Sequence, residues 1–178
     1  LKKYKGLTFE SIFGQEPRGE QLMNIGAYCL MPNHFHLVLQ QKSEKGITTF
    51  ARKLLTGYSM YFNISHGHSG IVSQGAIKSR HISNNPYFRY IFSYVHLNPL
   101  SLVYPGWEEK GITNHAGARK FLSEYAYSSF PDYSVGPRPR QSILSLDDAP
   151  EFLKAQNDLE ELLSWYKTEK DLGVVTKV

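Results

Sequence analysis

Alternating apolar and polar positions predict two consecutive β-strands near the start of the chain. Ile25–Cys29 has the composition of a short strand, the Pro-Asn pair within Leu30–Asn33 indicates a turn, and His34–Gln41 alternates as a second strand. Side chains on a strand point alternately to its two faces. One face of the second strand therefore carries His34, His36, Val38 and Gln40, and the other carries Phe35, Leu37 and Leu39. We expect Phe35 to enter the core and the two histidines to project from the opposite face.

Two segments with apolar residues three and four positions apart predict amphipathic helices. The first spans Ile47 to about Ser65, and its stripe comprises Ile47, Phe50, Leu54, Tyr58, Tyr61 and Phe62. The second spans Pro86–Leu97, because Asn85 suits the N-cap, Pro86 suits the first helical position, and Pro99 disfavours helical geometry at Asn98. At about 100° per residue, its core stripe comprises Phe88, Ile91, Phe92 and Val95, its solvent face Arg89, Ser93 and His96, and its border Tyr94 and Asn98.

The remaining elements follow weaker patterns. We predict a β-hairpin over Ile71–Ser83 that turns near Gln74 and Gly75, an irregular segment from Leu100 to Gly136, and an extended basic linker over Val135–Arg140. A final helix is expected from about Ala149 to Lys170, with Phe152, Leu159, Leu163 and Tyr166 on one face. Strands and helices in the order ββαββα indicate an α+β fold, in which helices pack on one face of an antiparallel β-sheet.

Composition narrows the class of protein. The chain has 178 residues, of which 41% are hydrophobic, enough for one sizeable core. It contains no apolar run of roughly 18 residues, the length that spans a bilayer, and its first residues are basic, so we expect a soluble intracellular protein with no membrane partner. The single cysteine, Cys29, excludes an internal disulfide scaffold and a multi-thiolate zinc site. A net charge of +4 is compatible with a polyanionic partner.

The pair His34 and His36 is the first candidate for chemistry. Residues two apart on a strand point the same way, so both imidazoles can bind one metal ion. A His-x-His pair also arises by chance in strands, and the residues alone leave that alternative open. His66 and His68 have the same spacing, but they lie in a loop rich in glycine and serine, where we expect exposed side chains without rigid presentation.

Tyr94 and Asn98 are the second candidate. They are four residues apart on the predicted helix, so they lie one turn apart on the same face. Tyr87 and Tyr90 are competing nucleophiles, but the residues four positions after them, Ile91 and Tyr94, are not ligand types. A packing role for a half-buried Tyr94 is the alternative that the residues alone leave open.

Together, the segments that contain these residues resemble the two signature blocks of the HUH single-tyrosine transposases, especially the branch of REP-associated tyrosine transposases and their relatives. The blocks are AYCLMPNHFHLVLQ and FRYIFSYVHLNPL. The similarity continues between them through GYSMYFN and GIVSQGAIKSRHI, and after them through FLSEYAYSSFPDY. It therefore covers roughly Ile25–Tyr133.

The resemblance implies roles for individual residues. It makes His34 and His36 the metal ligands, Asn98 the third protein ligand and Tyr94 the nucleophile. It also implies a ferredoxin-like (RRM-like) nuclease fold, Mg²⁺ or Mn²⁺ as cofactor, and cleavage and joining of hairpin-flanked single-stranded DNA through a 5′-phosphotyrosine. Candidate phosphate contacts, each also compatible with an ordinary solvated charge, are Arg52, Lys53, Lys78, Arg80, Arg138 and Arg140.

The resemblance also divides the chain. Residues 1–133 are expected to form the transposase domain, 134–148 a basic linker, and 149–178 a C-terminal helical appendage. Members commonly open with a strand that is not identifiable before Ile25, and because Leu1 is not a methionine we expect upstream residues to be missing. Members often have arginine shortly after the Asn-Pro pair, where this chain has Leu100-Ser101-Leu102. A nucleoid-associated cytoplasmic location and a homodimer are further expectations.

Two other classes of function are weighed against this one. A domesticated regulator would bind DNA hairpins without transposing them. A zinc-dependent hydrolase would use the two histidines, but neither motif has a carboxylate ligand or a general base nearby in the sequence. We therefore favour the single-tyrosine nuclease.

Overall fold

The chain forms a two-stranded antiparallel sheet accompanied by helices, so it has the predicted α+β class. The structure is a computed structural model that describes Ser11 and residues 19–73, 77–145 and 158–171. The elements are β1 (Met23–Leu30), β2 (Phe35–Gln41), α1 (Gly46–His66), α2 (Asn85–Leu97), α3 (Trp107–Lys110), α4 (His115–Glu124), α5 (Phe130–Ser134) and α6 (Leu159–Asp171), with 3₁₀ helices at Asn98–Leu102 and Pro139–Ile143. None of the helices in the described ranges is long and apolar enough to cross a bilayer.

Two compact units make up the chain, and each is described by itself. The first comprises the described residues up to Asn24 together with Leu39–His81. The second comprises Ile25–Val38 together with the described residues from Ile82 onward. All four residues of the predicted active site belong to the second unit.

The main element of the first unit is α1, whose start is fixed by a close backbone approach. The backbone N–H groups of Lys42 and Ser43 donate to the carbonyl oxygen of Leu22 over 3.1 and 3.3 Å. A Cβ on Gly46 would lie 2.0 Å from that same oxygen, so only glycine fits at the first position of the helix. The helix ends at Gly67 in the left-handed conformation, with φ 59°. Its bounds confirm the predicted helix to within one residue at each end.

The core of the second unit is built around α2. Asn84 caps the start of α2, because its side-chain oxygen accepts a hydrogen bond from the Tyr87 N–H over 2.8 Å. The sequence predicted the cap one residue later, at Asn85. α6 packs along α2. The side chains that fill this core without solvent exposure include Phe92, Leu97 and Leu100 from α2 and the turn after it, Leu122 and Phe130 from α4 and α5, and Leu159 and Leu162 from α6. Burial of such side chains is the main source of stability in a domain of this size.

Residues after α4 also hold β1 in this unit. The Leu30 N–H donates to the Tyr127 carbonyl oxygen over 2.8 Å, and the Ser129 N–H donates to the Tyr28 carbonyl oxygen over 2.9 Å. The Tyr133 hydroxyl donates to the Gly26 carbonyl oxygen. The segment 127–133 is therefore attached to β1 along much of its length.

Several predicted elements are corrected by the structure. The described residues of the predicted hairpin, 71–73 and 77–83, contain no strand. Ile71 and Ile77 are exposed there, and a hairpin without a buried face has little to stabilise it. The segment predicted to be irregular after Leu100 instead contains α3, α4 and α5. Asn114, whose side chain accepts from the Gly117 N–H over 2.9 Å, is the helix-start signal that sequence reasoning missed.

The predictions for the C-terminal region agree with the structure at several of the described residues. The expected start of the last helix at Ala149, and Phe152 on its face, lie outside the described residues. Within α6, Leu159, Leu163 and Tyr166 are buried as predicted. The predicted linker is extended at Arg138 but turns into the 3₁₀ helix Pro139–Ile143. The three-part division at residues 133 and 148 stays a prediction.

Truncating the α6 contact with α2 should destabilise the protein. Leu162 is fully buried, so Leu162→Ala is expected to lower the free energy of unfolding by about 2–5 kcal/mol. Ser164 lies on the exposed side of the same helix, so Ser164→Ala should change it by less than about 0.5 kcal/mol. Urea denaturation measures both, and equal values for the two variants would contradict the packing of α6 on its own chain.

Candidate active site

The histidine pair lies at the start of β2, with the two rings in edge contact. The ring centroids of His34 and His36 are 4.9 Å apart, with an interplanar angle of 84°. His34 directly precedes the strand and is exposed. Its Nδ1 lies 2.7 Å from Oδ1 of Asn33, and when Nδ1 donates this hydrogen bond the lone pair of Nε2 is available to a ligand. Sequence reasoning missed Asn33 as the residue that orients His34.

His36 occupies the buried side of the strand, contrary to the predicted faces. Val38, on the same face as His36, is buried, whereas Phe35 is 40% exposed. The expectation that Phe35 enters the core is therefore wrong. Periodicity identified the two faces of β2, but it could not tell which face α2 would cover.

The environment of His36 keeps its ring neutral. Burial, reinforced by the neighbouring His34, lowers the pKa of His36 to about 4. Its Nε2 atom is buried and has no hydrogen-bond partner among the described residues. It is one of six buried side-chain polar atoms without a partner among the described residues, and it belongs to the predicted ligand pair. A neutral imidazole with an unused nitrogen is the form that binds a metal ion.

Tyr94 projects from α2 onto the same imidazole. The centroids of the Tyr94 and His36 rings are 5.2 Å apart at an interplanar angle of 78°. The side chain is half-buried, as its border position predicted. The structure thus brings His34, His36 and Tyr94 together within one chain.

Asn98 lies one turn beyond Tyr94, where α2 gives way to a 3₁₀ helix. Its backbone N–H donates to the carbonyl oxygen of Tyr94. The Ser101 hydroxyl donates to the Asn98 carbonyl oxygen over 2.8 Å. Burial raises the pKa of the Tyr94 phenol, and a hydrogen bond from the Asn98 side chain opposes that rise. The Asn98 carboxamide also has an oxygen, Oδ1, of the type that binds a metal ion.

A ladder of aromatic rings supports Tyr94 from the side of α6. The Tyr90 ring stacks on Tyr94, with centroids 6.3 Å apart, and on Tyr166 of α6, with centroids 5.2 Å apart. Trp107 lies against Tyr166 at 5.0 Å. Tyr87 and Tyr90, the competing nucleophiles, are both buried. Sequence reasoning placed Tyr166 correctly in the core but did not connect it with the candidate nucleophile.

The predicted solvent face of α2 is wrong, because Ser93 and His96 are fully buried. His96 Nε2 lies 2.7 Å from the Ser129 hydroxyl, which also accepts from the Tyr28 N–H over 2.9 Å. Burial lowers the pKa of His96 to about 3. Residues 128–133 cover this side of the helix, so His96 contributes to the core and not to a solvent-accessible site.

The predicted phosphate contacts fall into two groups. Arg52, Lys53, Lys78 and Arg80 are exposed in the first unit. Arg138 instead binds the buried Asp132 through Nε and Nη2 over 2.8 and 2.6 Å, and Nη1 of Arg140 donates to the Ala126 carbonyl oxygen over 2.7 Å. These arginines hold the chain after α5 in place. Their role toward DNA stays a prediction.

The chemistry of the donors is compatible with a divalent ion. In the described part of the chain no three His, Cys, Asp or Glu side chains are grouped so that they could hold a metal. An ion at this site would rest on the imidazoles of His34 and His36 and the carboxamide of Asn98, which leaves coordination positions open. The unpartnered Nε2 of His36 is the observation that fits such a ligand set.

Comparison of the chain with models of protein families, with curated proteins and with solved structures returns no match.

The buried histidines should resist protonation. We expect the rings of His36 and His96 to be neutral at pH 5.5, because their pKa values lie near 4 and 3. His115 is the internal control, since its hydrogen bond to Glu160 raises its pKa and keeps it protonated. ¹⁵N chemical shifts of the rings measure all three.

The lowered pKa values of His36 and His96 also make the stability of the fold depend on pH. The unfolded chain binds protons at these histidines near pH 6.5, whereas the folded chain does not, so the free energy of unfolding should fall as pH falls from about 6.5 towards 4. A His36 ring that titrates near pH 6.5 would contradict the burial described here.

Proposed function

We propose that this chain is a metal-dependent HUH-type nuclease and strand transferase for single-stranded DNA, with Tyr94 as the nucleophile. The observation that carries the proposal is the edge contact between Tyr94 and His36, whose ring centroids are 5.2 Å apart. Positions 36 and 94 are distant in sequence and belong to the two blocks that resemble the transposase signatures. A chance packing tyrosine has no reason to meet the second residue of a His-x-His pair.

The proposed reaction is a transesterification. The phenol oxygen of Tyr94 attacks a backbone phosphorus, the P–O3′ bond breaks, and the products are a 5′-phosphotyrosine and a free 3′-hydroxyl. A 3′-hydroxyl can later attack the phosphotyrosine and release Tyr94, so strands are rejoined without ATP. The phenol proton must leave during the attack, because an ordinary tyrosine is almost entirely protonated at pH 7.

The residues around Tyr94 suit this reaction. Burial raises the pKa of the Tyr94 phenol, and the hydrogen bond with the Asn98 side chain acts against this rise and so favours the charged form that attacks. His34, His36 and Asn98 would hold Mg²⁺ or Mn²⁺, which when bound polarises the phosphate and offsets the charge of the transition state. Because Tyr94 and the histidines meet within one chain, the site needs no tyrosine from a second copy.

Finer features belong to the same proposal. The arrangement of the sheet and helices would be a ferredoxin-like variant. The substrate would be single-stranded DNA next to a hairpin, recognised by its shape and by bases splayed onto aromatic rings. Such an enzyme would work in the cytoplasm at the nucleoid.

Removing the Tyr94 hydroxyl should abolish covalent capture of DNA. A labelled single-stranded hairpin substrate with Mn²⁺ is expected to give a covalent adduct with the wild-type protein and none with Tyr94→Phe, as seen on a denaturing gel. Tyr90→Phe is the matched control, because it is the same change one turn earlier on α2, and it should keep the adduct. An adduct that persists in Tyr94→Phe would remove this residue from the role.

Loss of His36 on the strand should abolish metal-dependent cleavage, whereas loss of the loop histidines should not. His36→Ala, or treatment with EDTA, is expected to lower cleavage by at least about 100-fold, since it removes a ligand or the ion. His66→Ala with His68→Ala is the matched control, because that pair has the same spacing but lies at the exposed end of α1. Equal losses of cleavage in His36→Ala and in the double variant would contradict a metal site at the strand histidines.

A further inference from the structure

A long central part of the chain has no negative charge. From Lys45 to Trp107 there is no Asp or Glu, while the basic residues in this stretch are Lys45, Arg52, Lys53, Lys78, Arg80 and Arg89. The rest of the chain has 14 basic and 16 acidic residues, so the modest overall charge of +4 hides a strong local excess. Lys45 pairs with Glu44, and Arg89 lies over the Trp165 ring in the second unit. The other four basic residues are exposed in the first unit, where they attract phosphate groups.

The exposed face of α1 lies within this segment and carries aromatic rings. Leu54, Tyr58 and Tyr61 follow one another at spacings of four and three, so they share a face. Tyr58 is 50% exposed and Tyr61 is 53% exposed. The apolar stripe predicted for a core-facing helix thus faces outward over this part of α1. Lys53 is exposed beside it.

Gly57 interrupts the same face in the middle of α1. Glycine weakens a helix interior, so its presence needs a reason. A Cβ at this position would meet nothing within 4 Å, so the packing that the structure describes does not require glycine there. Gly57 lies between Lys53 and Tyr61 in a row of residues four apart, so it leaves room there for the backbone of a binding partner to approach the helix closely.

We propose that Lys53, Gly57, Tyr58 and Tyr61, here termed the α1 platform, bind unpaired bases of single-stranded DNA. The two rings stack on bases, while Lys53 contacts a phosphate that passes over Gly57. This inference rests on the proposed function, because it names where that enzyme holds its substrate beyond the reacting phosphate. A second copy that docked symmetrically through this face would bring like charges together, so charge favours a polyanion over such a dimer.

Binding of DNA without a hairpin tests the platform. The probe is a fluorescent 15-nucleotide oligothymidine, the protein carries Tyr94→Phe to prevent cleavage, and EDTA removes metal ions. Tyr58→Ser and Tyr61→Ser are each expected to raise the Kd roughly tenfold, measured by fluorescence anisotropy, since each removes one stacked base. Tyr127→Ser is the matched control and should leave the Kd unchanged, because Tyr127 is 58% exposed but belongs to the second unit.

Two further variants separate binding from folding. Lys53→Gln should lower the slope of log affinity against log salt by about one unit, as expected for one phosphate contact. Gly57→Leu improves the helix propensity of α1, so a loss of affinity in this variant cannot come from unfolding of the helix. We expect Gly57→Leu to weaken binding of the oligonucleotide at least as much as Tyr58→Ser.

Other outcomes overturn the inference. Affinities for oligothymidine that are unchanged in the tyrosine variants would remove the platform as a binding site. A wild-type dimer that dissociates in these variants, with DNA affinity unchanged, would assign the face to a second copy of the chain. If the platform variants lose affinity while Tyr94→Phe still forms the adduct, the role of Tyr94 fails and the platform stands.

Discussion

The proposed chemistry depends on one contact, in which the edge of the Tyr94 ring meets His36. Two periodicities of the sequence produce this contact. Alternation along β2 brings the histidines to one face, and the helical repeat of α2 places Tyr94 and Asn98 one turn apart on the same face. The helix must lie on the histidine side of the strand for these sets to coincide. Val38 and Phe92, both buried in the same core, hold the strand and the helix in that relation.

Local patterns predicted the elements that carry the site. The positions of α1, α2 and both strands followed from spacing, capping and turn signals, although β1 begins two residues before and ends one residue after its predicted bounds. The border position of Tyr94 was recognised from the helical repeat. The predictions that were wrong concern positions whose burial depends on residues distant in sequence. Ser93 and His96 were placed on the solvent side because the sequence does not reveal that Ser129 and the helix after it cover them. The faces of β2 were separated correctly, but Phe35 was assigned to the core for the same reason.

Charged and polar groups are divided between two tasks. In the second unit, Asp132 pairs with Arg138, and His96 Nε2 bonds to Ser129 inside the fold. These hydrogen bonds offset part of the cost of burying the groups. On α1, Arg52 and Lys53 are exposed. The same residue types therefore serve structure near the C-terminal elements and are available to a polyanion on α1, a distinction that net charge alone cannot draw.

The packing of α6 along α2 also sets an order of events during synthesis of the protein. Tyr94 is translated well before Tyr166, but the ring ladder through Tyr90 is incomplete until Tyr166 has left the ribosome and α6 has docked. The histidines emerge earlier still. A nascent chain therefore carries the two imidazoles and the phenol before it has the support that holds the phenol in place, and the clustered arrangement is complete only when α6 has docked.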